Sequence, residues 1–142
     1  MNETLSILRW IFGAYYFLVG IAVILSLLEI LPSANSIDFG QGINDFIAAL
    51  EKTGFALGAL AITYTVSGAL ILNHNTAHLG LVILAPAVVM IFLTHWFIEE
   101  GAPLWGSLHM AILLILAWQY RQGYASLFNF SGNLHQLPGN IL

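Results

Sequence analysis

The sequence predicts an all-α integral membrane protein, built as a transmembrane four-helix bundle with a short amphipathic helix in the loop between its first two spans. Composition is the first observation behind this prediction. Of the 142 residues, 59% are hydrophobic and only 7% are charged, which is far from the composition of soluble domains. The second observation is a series of long apolar runs separated by polar turns. Together they predict one membrane domain that covers residues 1–142.

Four apolar runs approach the roughly 20 residues that a helix needs to cross a bilayer. They cover about residues 10–31, 55–72, 77–98 and 104–120, and an interfacial tail follows at 121–142. The first run is longer than the roughly 7–15-residue core of a secretory signal peptide, so we interpret it as a retained span. Pro86 interrupts the third run and is expected to kink it, because one backbone hydrogen bond is lost there.

The long polar connection after the first run contains a helical pattern. Apolar residues recur in it at helical spacing, with polar and charged residues between them. They are Ile43, Phe46, Ile47 and Leu50. This spacing predicts a short amphipathic helix that lies on the membrane surface or caps the bundle. Gly54 is expected to end that helix.

Small residues in the first two spans allow two helices to approach closely in lipid. These residues are Gly13, Gly20, Gly58 and Gly68. The sequence leaves open whether they serve contacts within the bundle or between protomers.

Charged residues are distributed unevenly between the two ends of the predicted bundle. Four spans place both termini on one side, where Arg9 and Arg121 outnumber the single acid, Glu3. The opposite side carries Lys52 and the other acidic residues. The positive-inside rule therefore predicts cytoplasmic termini. A net charge of -4 also gives no electrostatic footprint for binding nucleic acid.

The candidate site surrounds the turn between the third and fourth spans. Helical spacing places His95 and Glu99 on one face, and a chain reversal at Ala102 returns His109 to the level of His95. Ionisable groups are costly inside the hydrocarbon, which makes them candidates for function. The predicted ligand-binding or partner-binding residues are His95, Trp96, Glu99, Glu100, Trp105 and His109. No catalytic residue is assigned.

Several interpretations of this cluster remain open. Its imidazoles can be structural groups that hydrogen-bond across helices, and its tryptophans can form an interfacial belt. Alternatively, a His–Glu pair handles protons or binds a ligand. A quinone head group would fit a flat pocket lined by Tyr64, Trp96, Phe97 and Trp105. A metal site at His95, Glu99 and His109 has acceptable ligand types but no defined motif, so no metal is assigned.

Other polar residues in the spans have less specific expected roles. Tyr15, Tyr16 and Tyr64 are expected to be packing residues whose hydroxyls each make one hydrogen bond. His74 and His78 flank the opposite turn and are expected to be solvated. Glu29 is positioned to reach across the outer rim of the bundle. The chain has no cysteine, which excludes a disulfide framework and a thiolate metal site.

Short segments along most of the chain resemble the DoxX-like family of small four-helix integral membrane proteins. The segments are LRWIFG at 8–13, FLVG at 17–20, Thr53-Gly54, GALIL at 68–72, LAPAVV at 84–89, and WQYR at 118–121 followed by Tyr124. The resemblance implies a four-helix transmembrane bundle. Some relatives are linked to quinone-coupled oxidation of sulfur compounds or to membrane complexes that handle redox stress.

These observations lead to one expected function and two alternatives. We expect an accessory subunit of a membrane complex, which binds a partner or small lipophilic ligand and is not an enzyme as an isolated chain. The alternatives are a subunit of a quinone-coupled membrane oxidoreductase and a small-molecule transporter. Possible partners are the lipid bilayer, another membrane protein and a second copy of the chain. The expected location is the bacterial inner membrane.

Overall fold

The computed structural model describes residues 3–32, 40–98 and 103–128, the last four of these by their backbone alone. Within these ranges every regular element is an α-helix, which confirms the predicted all-α class. The helices are α1 (Glu3–Leu27), α2 (Gln41–Lys52), α3 (Ala56–Leu72), α4 (Ala77–Phe97), α5 (Leu104–Gln119) and α6 (Arg121–Phe128). Helices α1, α3, α4 and α5 correspond to the four predicted spans.

The first helix differs from its predicted bounds at both ends. It begins at Glu3 and ends at Leu27, whereas the apolar run predicted 10–31. Glu29 adopts a φ of 60° directly after the helix. The amide of Ile30 then donates to the carbonyl oxygen of Leu25 at 2.9 Å. A left-handed residue with this bonding pattern closes a helix, so the backbone turn ends α1 before its apolar sequence runs out.

Helices α1 and α3 lie in close contact through glycines. A Cβ built on Gly20 would lie 2.5 Å from the backbone nitrogen of Thr65, and one on Gly68 would lie 2.8 Å from the Cα of Phe17. A Cβ on Gly13 would lie 3.0 Å from a methyl of Ile71. These three glycines therefore serve packing within the chain.

The fourth predicted packing glycine behaves differently. A Cβ on Gly58 would have no atom within 4 Å apart from its own helix and chain neighbours. Gly58 therefore makes no close packing contact with the described residues of its own chain, and a contact between protomers, the other use that the sequence left open, stays a prediction. Gly58 lies in the first turn of α3, where that helix has not yet reached the close contact with α1.

The predicted amphipathic helix is present as α2, and it lies across one end of the bundle. Its axis makes an angle of 101° with that of α3. Ile43 is buried, and a side chain on Gly42 would collide with the carbonyl oxygen of Ile98 at the end of α4. Helix α2 therefore spans from the end of α4 to the start of α3.

The chain turns between α2 and α3 at Thr53 and Gly54. Gly54 has a φ of +75°, which ends α2 as predicted. The hydroxyl of Thr53 donates to the carbonyl oxygen of Leu50 at 2.6 Å and accepts a hydrogen bond from the amide of Ala56 at 3.0 Å. One side chain thus satisfies backbone groups at the end of one helix and at the beginning of the next.

The remaining long helices complete the bundle. Helix α3 packs on α4, α4 packs on α5, and α5 touches α1 over a smaller area. Helix α4 continues through Pro86 to Phe97. The core is formed by Phe12, Tyr16, Ile71, Leu81, Leu84, Ala87, Val88, Leu113 and Leu116. Large apolar side chains such as Leu18 and Leu114 are also exposed on the outside, which is typical of helices that face lipid.

Two helices, α1 and α4, are long and apolar enough to cross a membrane. A third span results if the bent pair of α2 and α3 is counted as one. Helix α5 is apolar but has only 16 residues, fewer than the roughly 20 of a typical span. Length and composition thus support two or three membrane-spanning helices.

Candidate functional site

The first histidine of the predicted cluster lies in the last turns of α4 and is half-buried. The Nδ1 of His95 is 2.8 Å from the carbonyl oxygen of Ile91, one turn earlier on the same helix. Gly106 on α5 packs against it, since a Cβ there would lie 3.0 Å from the Cβ of His95. His109 follows Gly106 by three residues, about one turn, on α5. The hairpin of α4 and α5 therefore brings the two imidazoles to the same end of the bundle.

The second histidine is enclosed by aromatic rings between α5 and α1. His109 is only 5% exposed. Its ring centroid lies 4.9 Å from that of Trp105, 5.2 Å from that of Tyr15, 5.8 Å from that of Tyr16 and 6.4 Å from that of Phe12. Aromatic side chains thus provide contacts between two helices whose backbones make little contact of their own. We call Phe12, Tyr15, Tyr16, Trp105 and His109 the aromatic cluster.

The hydroxyl of Tyr16 lies in this cluster and has no hydrogen-bond partner among the residues that the structure describes. Tyr16 is 1% exposed, and its hydroxyl oxygen is buried. The expected hydroxyl bond is therefore wrong for this residue. An unsatisfied buried hydroxyl costs about 1–3 kcal/mol, so native structures usually provide it with a partner. The nearby ring of Tyr64, at a centroid distance of 5.4 Å, does not supply one.

The hydrogen bond of His109 determines what its other nitrogen can do. Its Nδ1 is 2.9 Å from the carbonyl oxygen of Trp105. A carbonyl oxygen only accepts, so Nδ1 carries the proton and Nε2 of the neutral imidazole is an acceptor. The aromatic cluster therefore offers one hydroxyl donor at Tyr16 and one nitrogen acceptor at His109. A bound hydroxyl group could use both.

The structure separates the predicted tryptophans. Trp105 belongs to the aromatic cluster, whereas Trp96 is 54% exposed and stacks on Phe92 at 5.6 Å. Phe97 is exposed as well. Trp96 and Phe97 are thus exposed and lie outside the aromatic cluster, and a flat pocket that they share with Trp105 and Tyr64 stays a prediction.

Two of the predicted acidic residues, Glu99 and Glu100, lie outside the described residues. The predicted pairing of His95 with Glu99 stays a prediction for that reason. Within 3–32, 40–98 and 103–128, no three histidine, aspartate or glutamate side chains are grouped as a metal site requires. Glu29 is exposed in the turn after α1.

A buried arginine lies near the other end of the bundle. Arg9 is 4% exposed, and its Nη1 donates to the carbonyl oxygens of Ile71 and Leu72. These are the last carbonyls of α3, which have no partner within that helix and form the negative end of its dipole. From the sequence, Arg9 was expected only to be a charge that flanks the first span. The structure gives it a second role, joining the start of α1 to the end of α3.

The two histidines at this end contact Tyr120, which lies between α5 and α6, and Tyr124 in α6. The Nδ1 of His74 is 2.9 Å from the hydroxyl oxygen of Tyr120, and the rings of His78 and Tyr124 lie 6.3 Å apart. His74 is exposed as predicted, whereas His78 is half-buried. Burial raises the pKa of Tyr124, and Tyr120 adds to this effect. These contacts hold α6 against the turn between α3 and α4.

Comparison of the chain with known proteins identified no relative. No family model matches the chain, and no curated protein or solved structure does.

Proposed function

We propose that this chain is a multi-pass membrane protein of the DoxX-like type, with α1, α3, α4 and α5 as its spans. Exposed apolar side chains on α1, α4 and α5 support this arrangement. The angle of 101° between α2 and α3 supports a position of α2 along the membrane surface. Arg9 and Arg121 lie at the end that carries both termini, which favours cytoplasmic termini in a bacterial inner membrane.

Within that membrane, the proposed role is that of an accessory subunit that holds a small lipophilic molecule in the aromatic cluster. The observation that carries this proposal is the buried hydroxyl of Tyr16, which has no partner among the described residues and whose ring centroid lies 5.8 Å from that of His109. Polar groups in the hydrocarbon need partners, because water is not there to provide them. A lipophilic molecule with a hydroxyl group would donate to Nε2 and accept from Tyr16.

The test is the recovery of a bound molecule from the protein after gentle extraction. Native mass spectrometry of wild-type protein is expected to show a retained small molecule, and Tyr16→Phe is expected to lose it. This substitution removes only the hydroxyl, so the ring packing of Tyr16 is kept. Because a buried hydroxyl without a partner is destabilising, the ligand-free Tyr16→Phe protein is expected to be at least as stable as the ligand-free wild type.

Tyr124→Phe is the matched control, since Tyr124 lies at the opposite end of the bundle beside His78. It is expected to retain the molecule. Equal retention in wild type and Tyr16→Phe would contradict the proposal, as would a wild-type protein that carries only water at this hydroxyl.

A quinone-coupled oxidoreductase subunit is the second candidate function. The donor and acceptor pair at Tyr16 and His109 matches the hydroxyl of a quinol, and the surrounding rings of Tyr15 and Trp105 suit a flat aromatic head group. The chain has no cysteine, so a bound cofactor or a partner subunit would supply the electron carrier.

A short-chain benzoquinone tests this candidate, because quinones quench tryptophan fluorescence and Trp105 lies in the cluster. Saturable quenching is expected in the wild type and in Tyr124→Phe, and it is expected to weaken in Trp105→Phe. Quenching that rises linearly with concentration and is the same in all three proteins would contradict a specific quinone site.

A further inference from the structure

A groove that is separate from the aromatic cluster opens where α1, α2 and α3 meet. It has a volume of about 380 Å³ and is lined by Leu27, Leu50, Glu51, Gly54, Leu57 and Gly58. Three leucines and two glycines make its wall apolar, and Glu51 lies at the end of α2 beside the exposed turn. Its size falls within the range of small-molecule sites in proteins.

From this groove we infer a binding site for one acyl chain of a membrane phospholipid. The first argument is its position. Helix α2 lies at 101° to α3, and in the proposed orientation it marks the level of the membrane surface. The groove lies directly beneath it, at the depth where acyl chains begin.

The second argument is the chemistry of the surrounding surface. Phe55 is 72% exposed beside the groove, and Leu28 and Ile30 are exposed in the turn that follows α1. Apolar side chains on both sides favour an occupant that is itself part of the bilayer. An acyl chain needs no hydrogen-bond partner, and apart from Glu51 the side chains that line the groove are apolar.

Gly58, which lines the groove, leaves open space there. Among the described residues outside its own helix, no atom lies within 4 Å of the position of a Cβ on Gly58, whereas Gly20 and Gly68 on the same pair of helices are tightly packed. Helix α3 thus leaves room at the level of the groove. A hydrocarbon chain would restore the dispersion contacts that an empty space lacks.

The experiment uses the full chain in phosphatidylcholine vesicles that contain a small fraction of phosphatidylcholine with a photoreactive acyl chain. After irradiation, the labelled peptides are identified by mass spectrometry. Adducts are expected to concentrate on residues 50–58. Gly58→Phe fills the floor of the groove and is expected to reduce this labelling about tenfold, which corresponds to 1.4 kcal/mol of lost affinity.

Ala59→Phe is the matched control, because Ala59 is exposed on the adjacent position of α3 and does not line the groove. It is expected to keep the labelling. Leu50→Trp places a larger side chain in the groove from α2, opposite Gly58, and is likewise expected to reduce the labelling. Labelling spread evenly over all exposed apolar faces, or unchanged in both Gly58→Phe and Leu50→Trp, would overturn the inference.

Discussion

The glycines of α1 and α3 allow the packing to be tested by adding one methyl group at a time. Gly68→Ala would place its Cβ 2.8 Å from the Cα of Phe17, and ordinary contact begins at 3.4 Å. The neighbour is backbone and cannot rotate away, so the two helices would have to separate by about 0.5 Å or more. A gap of about that size already costs roughly a quarter of the dispersion energy of each contact it opens.

The expected effect of Gly68→Ala is a loss of about 1–3 kcal/mol in the free energy of unfolding, as for other overpacked cores. Gly20→Ala is expected to cost a similar amount, because its Cβ would meet the backbone of Thr65 and Ala61. Gly13→Ala is expected to cost less, because its Cβ would lie 3.0 Å from a methyl of Ile71 and 3.2 Å from backbone atoms of Gly68 and Leu72, which is a milder overlap than at the other two glycines.

Gly58→Ala provides the contrast within the same helix. No neighbouring atom obstructs the added methyl, and alanine is favoured over glycine inside a helix by roughly 0.5–1 kcal/mol. The substitution is therefore expected to be neutral or stabilising. The measurement is reversible unfolding of each variant by sodium dodecyl sulfate in mixed micelles, followed by circular dichroism. A Gly68→Ala variant as stable as wild type would refute the close packing of α1 and α3, as would an equal loss in Gly58→Ala.

Three further predictions follow from the ends of the bundle. Arg9→Met is expected to destabilise the protein by about 1–3 kcal/mol for each buried carbonyl that loses its donor, measured in the same unfolding assay. Stability equal to wild type would contradict the contact between Arg9 and the end of α3. Thr53→Ala is expected to lower the free energy of unfolding by about 1 kcal/mol, because it removes the hydroxyl that caps α3. Thr53→Ser keeps the hydroxyl and is expected to keep the stability. Equal losses in both variants would exclude the hydroxyl as the cause. Because the chain has no cysteine, Asn75→Cys and Lys52→Cys can report orientation. An impermeant thiol reagent is expected to label only Lys52→Cys in intact cells, and the reverse pattern would contradict cytoplasmic termini.

The number and approximate positions of the long helices were predictable from the sequence, because long apolar runs and polar turns are local signals. The amphipathic pattern of 43–50 and the glycine at 54 predicted α2 and its end for this reason. The bounds of α1 were less predictable. A left-handed backbone at Glu29 ends that helix inside an apolar sequence, and glutamate gives no strong signal for such a conformation.

The aromatic cluster was only partly predictable, because it depends on which face of α1 turns toward the other helices. Sequence spacing brought His95 and His109 to one end through the short hairpin of α4 and α5. No special role was expected for Tyr16, because contacts between α1 and α5 join residues that are distant in the chain. Each imidazole also bonds to a carbonyl one turn earlier in its own helix, a choice that neither spacing nor composition reveals.

A signal for the missed residues was nevertheless present in the glycines. Arg9, Gly13, Tyr16 and Gly20 follow one another at intervals of four, three and four residues, so they lie on one face of α1. The glycines mark the face of α1 that packs against α3. A polar residue at the same helical spacing lies on that face and is buried, as Arg9 and Tyr16 are.

Arg9 donates through Nη1 to two carbonyls at the end of α3, although its Nε has no partner among the described residues. The Tyr16 hydroxyl also has no partner there, but the ring of Tyr16 lies among the aromatic rings of Phe12, Tyr15 and His109. This apolar setting is what favours Tyr16 over Arg9 as the residue of the proposed site for a lipophilic molecule.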